Sequence, residues 1–349
     1  MNAIRVAGRY IGEGHPCFIA AEVGINHNGD MDLAHRSIDA AVEAGADAVK
    51  FQNYRTEDFL SDRTLTYRYV SQGKSVTEAQ FDMFKRCELS PTQLRELRDH
   101  CQSRGIVFFS TPTSVDGIRE LVKLGVPLLK NGSDYLVHLP LVQAMAKTGL
   151  PTVLSTGMAR RAEIEDAVSA FRSAGGRDLI LLHCTSSYPT PRGDVHLRKI
   201  PALCEWFHCP SGFSDHSEGN VAAIGAVALG ACFLEKHFTL DKELPGPDHR
   251  FSADPDEFRA LVEAVRTVEK NLGTAELEPA ASEEAGRREF RLSCVAAREL
   301  PAGHRLQSSD IALRRPGSGF LPKDADRLLD CVLSRPIPAG HVFSAEDFA

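Results

Sequence analysis

CFIAAEVGINHNGDMDLAHRSIDAAVEAGADAVKFQNY, residues 17–54, decides how the chain is read. It opens on an apolar run at 17–24, turns through Asn and Gly, takes up helical periodicity over 31–46 and re-enters an apolar run at 48–54. Strand, helix, strand in that order is one parallel βαβ unit, since a helix must carry the chain back over the sheet before a parallel strand can follow. Six more strand-like runs lie at 106–112, 128–133, 152–157, 179–185, 209–217 and 232–240. Helical patterns fill most of the gaps, at 90–105, 159–176 and 220–231, with another at 254–273 after the eighth strand. The helices at 90–105 and 159–176 begin on Ser or a small residue and end on Gly, as capping preferences require. Eight alternating strands and helices fit a closed (β/α)8 TIM barrel of roughly 250 residues. A doubly wound open sheet is the runner-up, but it calls for a glycine-rich phosphate turn after its first strand, and AEVGINHNGD contains no GxGxxG.

These elements occupy residues 1–273, read as the catalytic domain. Residues 274–288, rich in Ala, Glu and Ser without apolar periodicity, read as a linker, and 289–349 as a small β-rich domain. That last region holds a near-repeat, ARELPAGHRLQSSDI (297–311) and SRPIPAGHVFSAEDF (334–348), with the loop LRRPGSGF (313–320) between the copies. The 349 residues are 43% hydrophobic, enough for a full core. Net charge is −7 with 40 dispersed Lys and Arg, which argues against a nucleic-acid or membrane-surface partner. No stretch approaches the ~18–20 apolar residues of a membrane helix, and a cytoplasmic location is expected. The nine cysteines are scattered without a CxxC pair and read as small buried hydrophobes in a reducing compartment.

In a barrel of this kind chemistry gathers where the strands end, because the interior below is packed with side chains. Those ends carry Glu22, Lys50 and Gln52, Lys130 and Ser133, Ser155, Ser186 and Tyr188, His216, and the run Glu235-Lys236-His237. Two histidines on neighbouring strands, with a carboxylate nearby, suit a divalent ion such as Mn²⁺, Mg²⁺ or Zn²⁺. Lysines beside hydroxyls suit a phosphate and a carboxylate, so a small acidic substrate is expected. A Schiff-base role for Lys50 or Lys130 stays open. There is no GxSxG elbow, and Cys184 has no evident activating partner. Strand alternation puts Glu235 and His237 on one face and Lys236 on the other, with Glu235 a candidate to support His237 and Lys236 expected to meet a carboxylate in the helix layer.

The stretches AEVGINHNGD, GADAVKFQ, STGM, HCTSSYPTP, GFSDHS, EKHFTL and GPDH, in that order and with the tail RRPGSGF, resemble the sialic acid synthase family with its antifreeze-like (SAF) domain. The resemblance spans nearly the whole chain. It implies condensation of phosphoenolpyruvate with the aldehyde of an open-chain, N-acetylmannosamine-like sugar, giving a nine-carbon 2-keto-3-deoxy acid such as N-acetylneuraminate and free phosphate. It further implies Mn²⁺ or Mg²⁺ on His216 and His237, and Glu22 as acid/base or partner of a metal-bound water. Lys50, Lys130, Ser133, Ser155 and Ser186 would hold phosphoenolpyruvate, with Gln52 and Tyr188 along the sugar. Arg315 would reach the sugar's N-acetyl group in the partner subunit's barrel, which makes a domain-swapped homodimer.

Three stretches depart from the family's pattern where the sugar's far end would lie: KNGSDY with Tyr135 at an acidic position, Arg192-Gly193, and Phe251. Asp134 could replace the missing acid only if the strand does not persist, since alternation would turn it outward. The alternative acceptor is a 2,4-diacetamido-trideoxy hexose, giving legionaminic or pseudaminic acid. A non-catalytic carbohydrate-binding barrel is the rival of another kind, and it has no need of Glu22, two lysines and two histidines together.

Overall fold

The computed structural model describes residues 3–349 in two compact units, one ending at Gly273 and one beginning at Thr274. The first unit contains β1 (Phe18–Gly24), β2 (Ala48–Asn53), β3 (Val107–Pro112), β4 (Leu129–Asn131), β5 (Thr152–Ser155), β6 (Leu179–Cys184), β7 (Ser211–Asp215) and β8 (Phe233–His237). They form one parallel sheet in the order β3-β2-β1-β8-β7-β6-β5-β4, curled into a nearly closed barrel. Each is followed by a helix: α1 (Met31–Glu43), α2 (Pro91–Ser103), α3 (Val115–Leu124), α4 (Leu139–Ala146), α5 (Arg161–Ser173), α6 (Lys199–Phe207), α7 (Val221–Ala228) and α8 (Pro255–Leu272).

Local chemistry fixes the ends. Ser90 caps α2 by accepting from the Gln93 amide while the Gln93 side chain accepts from the Ser90 amide, and Asp254 with Glu257 does the same for α8. The start of α5 differs from the sequence expectation: its cap position is Arg160, whose amide is held by the Glu163 carboxylate.

Along the strands, alternate residues enter the barrel. Phe18, Ala20, Ala48, Phe109, Val153, Ile180, Leu182 and Phe233 pack its lower interior. A two-stranded hairpin, Ile4–Val6 and Arg9–Ile11, adds Ile4, Val6 and Ile11 to the same cluster. The next inward positions on the same strands are Glu22, Lys50, Ser155, Cys184 and Glu235, so polarity begins one pleat above the apolar floor. The opposite faces of the strands pack against the helices in two apolar clusters, one around β1–β4, β7 and β8 and one around β5 and β6. Between β2 and α2 the chain adds an antiparallel hairpin, Thr66–Ser71 with Lys74–Ala79, and a short helix, Gln80–Arg86.

In the second unit, β9 (Ser293–Ala296) pairs antiparallel with β10 (Ile311–Arg314). Before them lies a helix at Glu284–Phe290, formed partly from residues read as linker. The two PAGH copies are structurally equivalent. Leu300 and Ile337 exchange reciprocal backbone bonds. His304 and Arg298 close on Asp310 at 2.7 Å each, while His341 and Arg335 close on Asp347 at 2.9 and 2.6 Å. Among the described residues no helix is long and apolar enough to cross a membrane.

Candidate active site

At the carboxyl ends of the strands opens a cavity of about 770 Å³. Ten of the eleven residues singled out in the sequence line it: Glu22, Lys50, Gln52, Lys130, Ser133, Ser155, Ser186, Tyr188, His216 and His237. Arg315 belongs to the second unit, where it is exposed and its guanidinium lies 5.4 Å from the Phe290 ring centroid.

The floor is a network of buried charges. Lys50 Nζ sits 2.8 Å from Glu22 Oε2 and 3.8 Å from Glu235 Oε1, and donates to Thr111 Oγ1 at 3.1 Å. Lys130 donates to Ser155 Oγ at 2.7 Å and lies 3.6 Å from Glu235. Register brings these groups level, since Glu22 pairs with Lys50 on one side and with His237 on the other. Burial pushes the Glu22 carboxyl up despite Lys50. Burial also pulls both amines down. For Lys50 the carboxylates of Glu22 and Glu235 outweigh it and leave the amine raised, whereas Lys130 ends below its usual value. Glu235, pushed up by burial, is held below the usual range by Lys130 and Lys50. Its neighbours are thus Ser214, which donates at 3.2 Å, and the two lysines, a correction to the support for His237 expected of it.

Beside the lysines is a hydroxyl cradle. Ser133 Oγ accepts from the Gly157 amide at 3.0 Å, and Ser186 Oγ is buried with no hydrogen-bond partner. A Cβ on Gly157 would collide with both hydroxyls, so only glycine leaves this hollow open.

The two histidine rings stand 5.3 Å apart between centroids, with Tyr188 against His216 at 4.2 Å and Phe251 against His237 at 5.1 Å. His216 Nδ1 is 2.9 Å from the Thr185 carbonyl, which can only accept, so Nδ1 carries a proton; burial pulls this imidazole down, but Cys184 and the Thr185 carbonyl outweigh it and leave it above its usual value. His237 Nδ1 is buried without a hydrogen bond, 3.8 Å from Asp248 Oδ2. Burial, then His216 and the nearby lysines, hold the His237 imidazole well below its usual value, and burial beside Glu22 raises Asp248 to about 7.

Of the lining residues outside those singled out in the sequence, Tyr135 stands at the position expected to hold an acidic sugar contact and Asp134 at the one whose entry depends on where the strand ends, while the sequence reading missed those of the hairpin and short helix. Asp134 and Tyr135 both enter the cavity because β4 stops at Asn131 and a 3-10 turn, Ser133–Tyr135, replaces the alternation that would have turned Asp134 outward. Cys184 does have a partner: its sulfur is 3.6 Å from His216 Nδ1. The hairpin supplies Tyr67 and the short helix Gln80, Met83 and Phe84. Its signal was present in TYRYVSQGKSVTEA, where two alternating runs flank Gln72-Gly73, both with positive φ as a tight hairpin turn requires.

Two lysines, buried carboxylates and a histidine pair thus meet in the mouth of one barrel, on a chain that also carries an antiparallel tail unit. The chain belongs to the NeuB family, whose model matches residues 37–277, and residues 293–349 match the SAF domain. It is 45% identical to an uncharacterized protein of Methanocaldococcus jannaschii over 93% of this chain and 92% of that one. It is 38% identical to the N,N'-diacetyllegionaminic acid synthase of Legionella pneumophila, over 91% and 90% of the two chains. The crystal structure of an N-acetylneuraminic acid synthetase from Leptospira borgpetersenii superposes with TM-score 0.74 at 38% identity, covering 82% of this chain and 95% of that one.

Proposed function

We propose that this protein joins phosphoenolpyruvate to the aldehyde of an open-chain N-acetylated amino sugar, releasing phosphate and forming a nine-carbon 2-keto-3-deoxy sugar acid. The observation that carries this reading is the cradle of Ser133, Ser186 and Gly157 beside Lys130 and Ser155, a set of donors suited to a phosphate and a carboxylate at the foot of a cavity large enough for a sugar as well.

In the reaction C3 of phosphoenolpyruvate attacks the aldehyde carbon, whose oxygen takes up a proton. Water adds at C2, and the C2–O bond to phosphate breaks to leave the keto group. Lys50 and Lys130 neutralise the anion, with Ser133, Ser155 and Ser186 fixing its oxygens. Glu22, its carboxyl raised by burial, is placed to hold the proton that the aldehyde oxygen needs. Gln52, which donates to Glu22 at 3.2 Å, and Tyr188 line the sugar.

The donor chemistry fits a divalent ion. Nε2 of His216, whose Nδ1 is turned to the Thr185 carbonyl, and the unpartnered Nδ1 of His237, with Asp248 close by, would be the nitrogen and oxygen donors to Mn²⁺ or Mg²⁺. Among the described residues no group of three His, Cys, Asp or Glu side chains is arranged to hold a metal ion, so the two histidines are the ligands this reading assigns. An ion held by His216 and His237 would supply a Lewis acid for the aldehyde oxygen. We assign Arg315 to the acetamido group of the sugar in a partner subunit's barrel, supported by its exposed side chain and by the family likeness.

Phosphate release from phosphoenolpyruvate, Mn²⁺ and the candidate sugars tests the reading. Release should depend on sugar and metal together, and His237→Ala should lose both turnover and Mn²⁺ binding measured by electron paramagnetic resonance. Gly157→Ala should raise the phosphoenolpyruvate KM by at least about tenfold, since a misplaced contact of this kind costs on the order of 10²-fold. A protein silent with every sugar is not a synthase.

A further inference from the structure

Asp248 and Phe251, the two residues that stand against His237 from the loop between β8 and α8, are carried by a loop whose backbone is held from behind. His249, next to Asp248, is 1% exposed and lies outside the cavity lining, and its ring is bonded at both nitrogens. Asn28, in the loop between β1 and α1, turns Nδ2 to the Pro245 carbonyl at 2.7 Å and to His249 Nε2 at 3.2 Å. A carbonyl only accepts, so this atom is the amide NH2, and its second hydrogen goes to Nε2. Nδ1 then carries the imidazole proton and donates to Thr239 Oγ1 at 2.7 Å, and the Thr239 hydroxyl donates in turn to the Asp241 carbonyl at 3.0 Å. Every proton from Asn28 to Asp241 has an acceptor. Burial holds the His249 imidazole down at about 4, which keeps it neutral and fixes the direction of these bonds. A Cβ on Gly246 would come within 2.7 Å of the His249 ring, so glycine there lets the loop close over it.

A second tie runs beside the first. Asn26, 2% exposed, donates from Nδ2 to the Phe238 carbonyl and to Ser252 Oγ, each at 2.9 Å, and Ser252 Oγ donates to the Asp248 carbonyl at 2.6 Å. Phe238 follows His237 and Ser252 follows Phe251, so this tie sets the spacing between the histidine and the loop against it. The Asp248 carboxylate makes no hydrogen bond of its own among the described residues, and its nearest ionic contact is His237 at 3.8 Å. Its place is therefore set through the backbone that the two ties hold. The cradle of Ser133, Ser155, Gly157 and Ser186 belongs to β4, β5 and β6 and the turns after them, across the barrel from β1 and β8.

Resting on the synthase reading, we propose that Asn28, Thr239 and His249 are positioning residues of the reaction: through the backbone of residues 245–249 they hold the Asp248 carboxylate beside His237 as an oxygen donor to the divalent ion. They take no part in binding phosphoenolpyruvate.

Mn²⁺ binding to the full chain, measured by electron paramagnetic resonance, and the phosphoenolpyruvate KM at saturating metal separate this role from general damage. Thr239→Val keeps the side chain's shape and strands the His249 Nδ1 hydrogen. Asn28→Gly cuts the tie at its other end without strain, because Asn28 has a φ of 52°, which glycine adopts freely. Each should raise the Mn²⁺ dissociation constant at least about tenfold, as losing a group that orients a metal's surroundings does, and leave the phosphoenolpyruvate KM within about twofold of the parent. Thr239→Ser restores the hydroxyl and should recover most of the lost affinity. A smaller rise in either variant, a phosphoenolpyruvate KM that climbs with it, or a Thr239→Ser no better than Thr239→Val overturns the proposal and leaves the synthase reading standing. A parent protein that binds no Mn²⁺ and is silent with every sugar removes the synthase reading itself.

Discussion

Lys236 and Asp215 face each other in register on β8 and β7, and both point away from the cavity. Lys236 Nζ donates to Asp215 Oδ2 at 2.8 Å and to the Ser217 carbonyl at 2.9 Å, while Asp215 Oδ1 accepts from the amide and hydroxyl of Ser217. The clamp fixes the chain on both sides of His216. Both side chains are buried, at 3% and 0% exposure, so deleting one partner strands a charge. Lys236→Met should cost about 3–5 kcal/mol in denaturant unfolding, and adding Asp215→Asn should recover more than half of it, because the amide still serves Ser217 without a buried charge. A single variant within about 1 kcal/mol of the parent would show that the pair carries little. The outward turn of Lys236 was legible from period-two alternation alone. Asp134 was not, because alternation holds only while the strand lasts and β4 is three residues long. Nor was the Cys184–His216 contact between the neighbouring strands β6 and β7, because it depends on their register and on how the chain turns after Asp215. Glu235 was read on the correct face but with the wrong neighbour, since parity gives a direction and not the length of a lysine reaching from across the barrel.

At the scale of elements, the eight barrel strands were legible to within a few residues because each is an apolar run bounded by turns, and the near-repeat of the tail was legible as text. Its geometry was not. The text does not say that each copy closes its own Arg–Asp–His group, with Asp310 and Asp347 as the buried hubs. Burial pushes Asp347 up, but the Ser344 amide, Arg335 and His341 outweigh it and hold its carboxyl at about 2; Asp310 is likewise held below its usual value. A carboxylate with a depressed folded-state pKa contributes stability that is present above its unfolded value and lost as pH falls through its folded one. Protection of the Leu300 and Ile337 amides, which bridge the two copies, should therefore be constant above about pH 4 and decline between about pH 4 and 2, relative to intrinsic exchange rates. Asp347→Asn should lower protection at neutral pH and flatten that decline. An unchanged acid profile in this variant would mean that the hub is not what acid attacks.

At the scale of the molecule, the barrel lines its mouth with ten of the eleven residues assigned to the reaction, and the eleventh, Arg315, belongs to a separate unit. The proposed cross-subunit role can be decided by mixing chains. Glu22→Gln disables a barrel and keeps its arginine; Arg315→Ala keeps a barrel and withdraws the arginine. If Arg315 serves the partner's barrel, a mixed dimer contains one site with an intact barrel and an intact arginine, and one site with neither. If it serves its own chain, neither site of a mixed dimer is whole. Random pairing of equal amounts makes half of the dimers mixed, so the exchange predicts recovery of about a quarter of parent activity at sugar concentrations below KM. Service within one chain predicts none. Arg315→Ala alone should raise the sugar KM far more than that for phosphoenolpyruvate, because an acetamido contact is absent from the enolpyruvate. Equal effects on the two substrates, or a mixture no more active than the average of its parts, would remove the arginine from the partner's site.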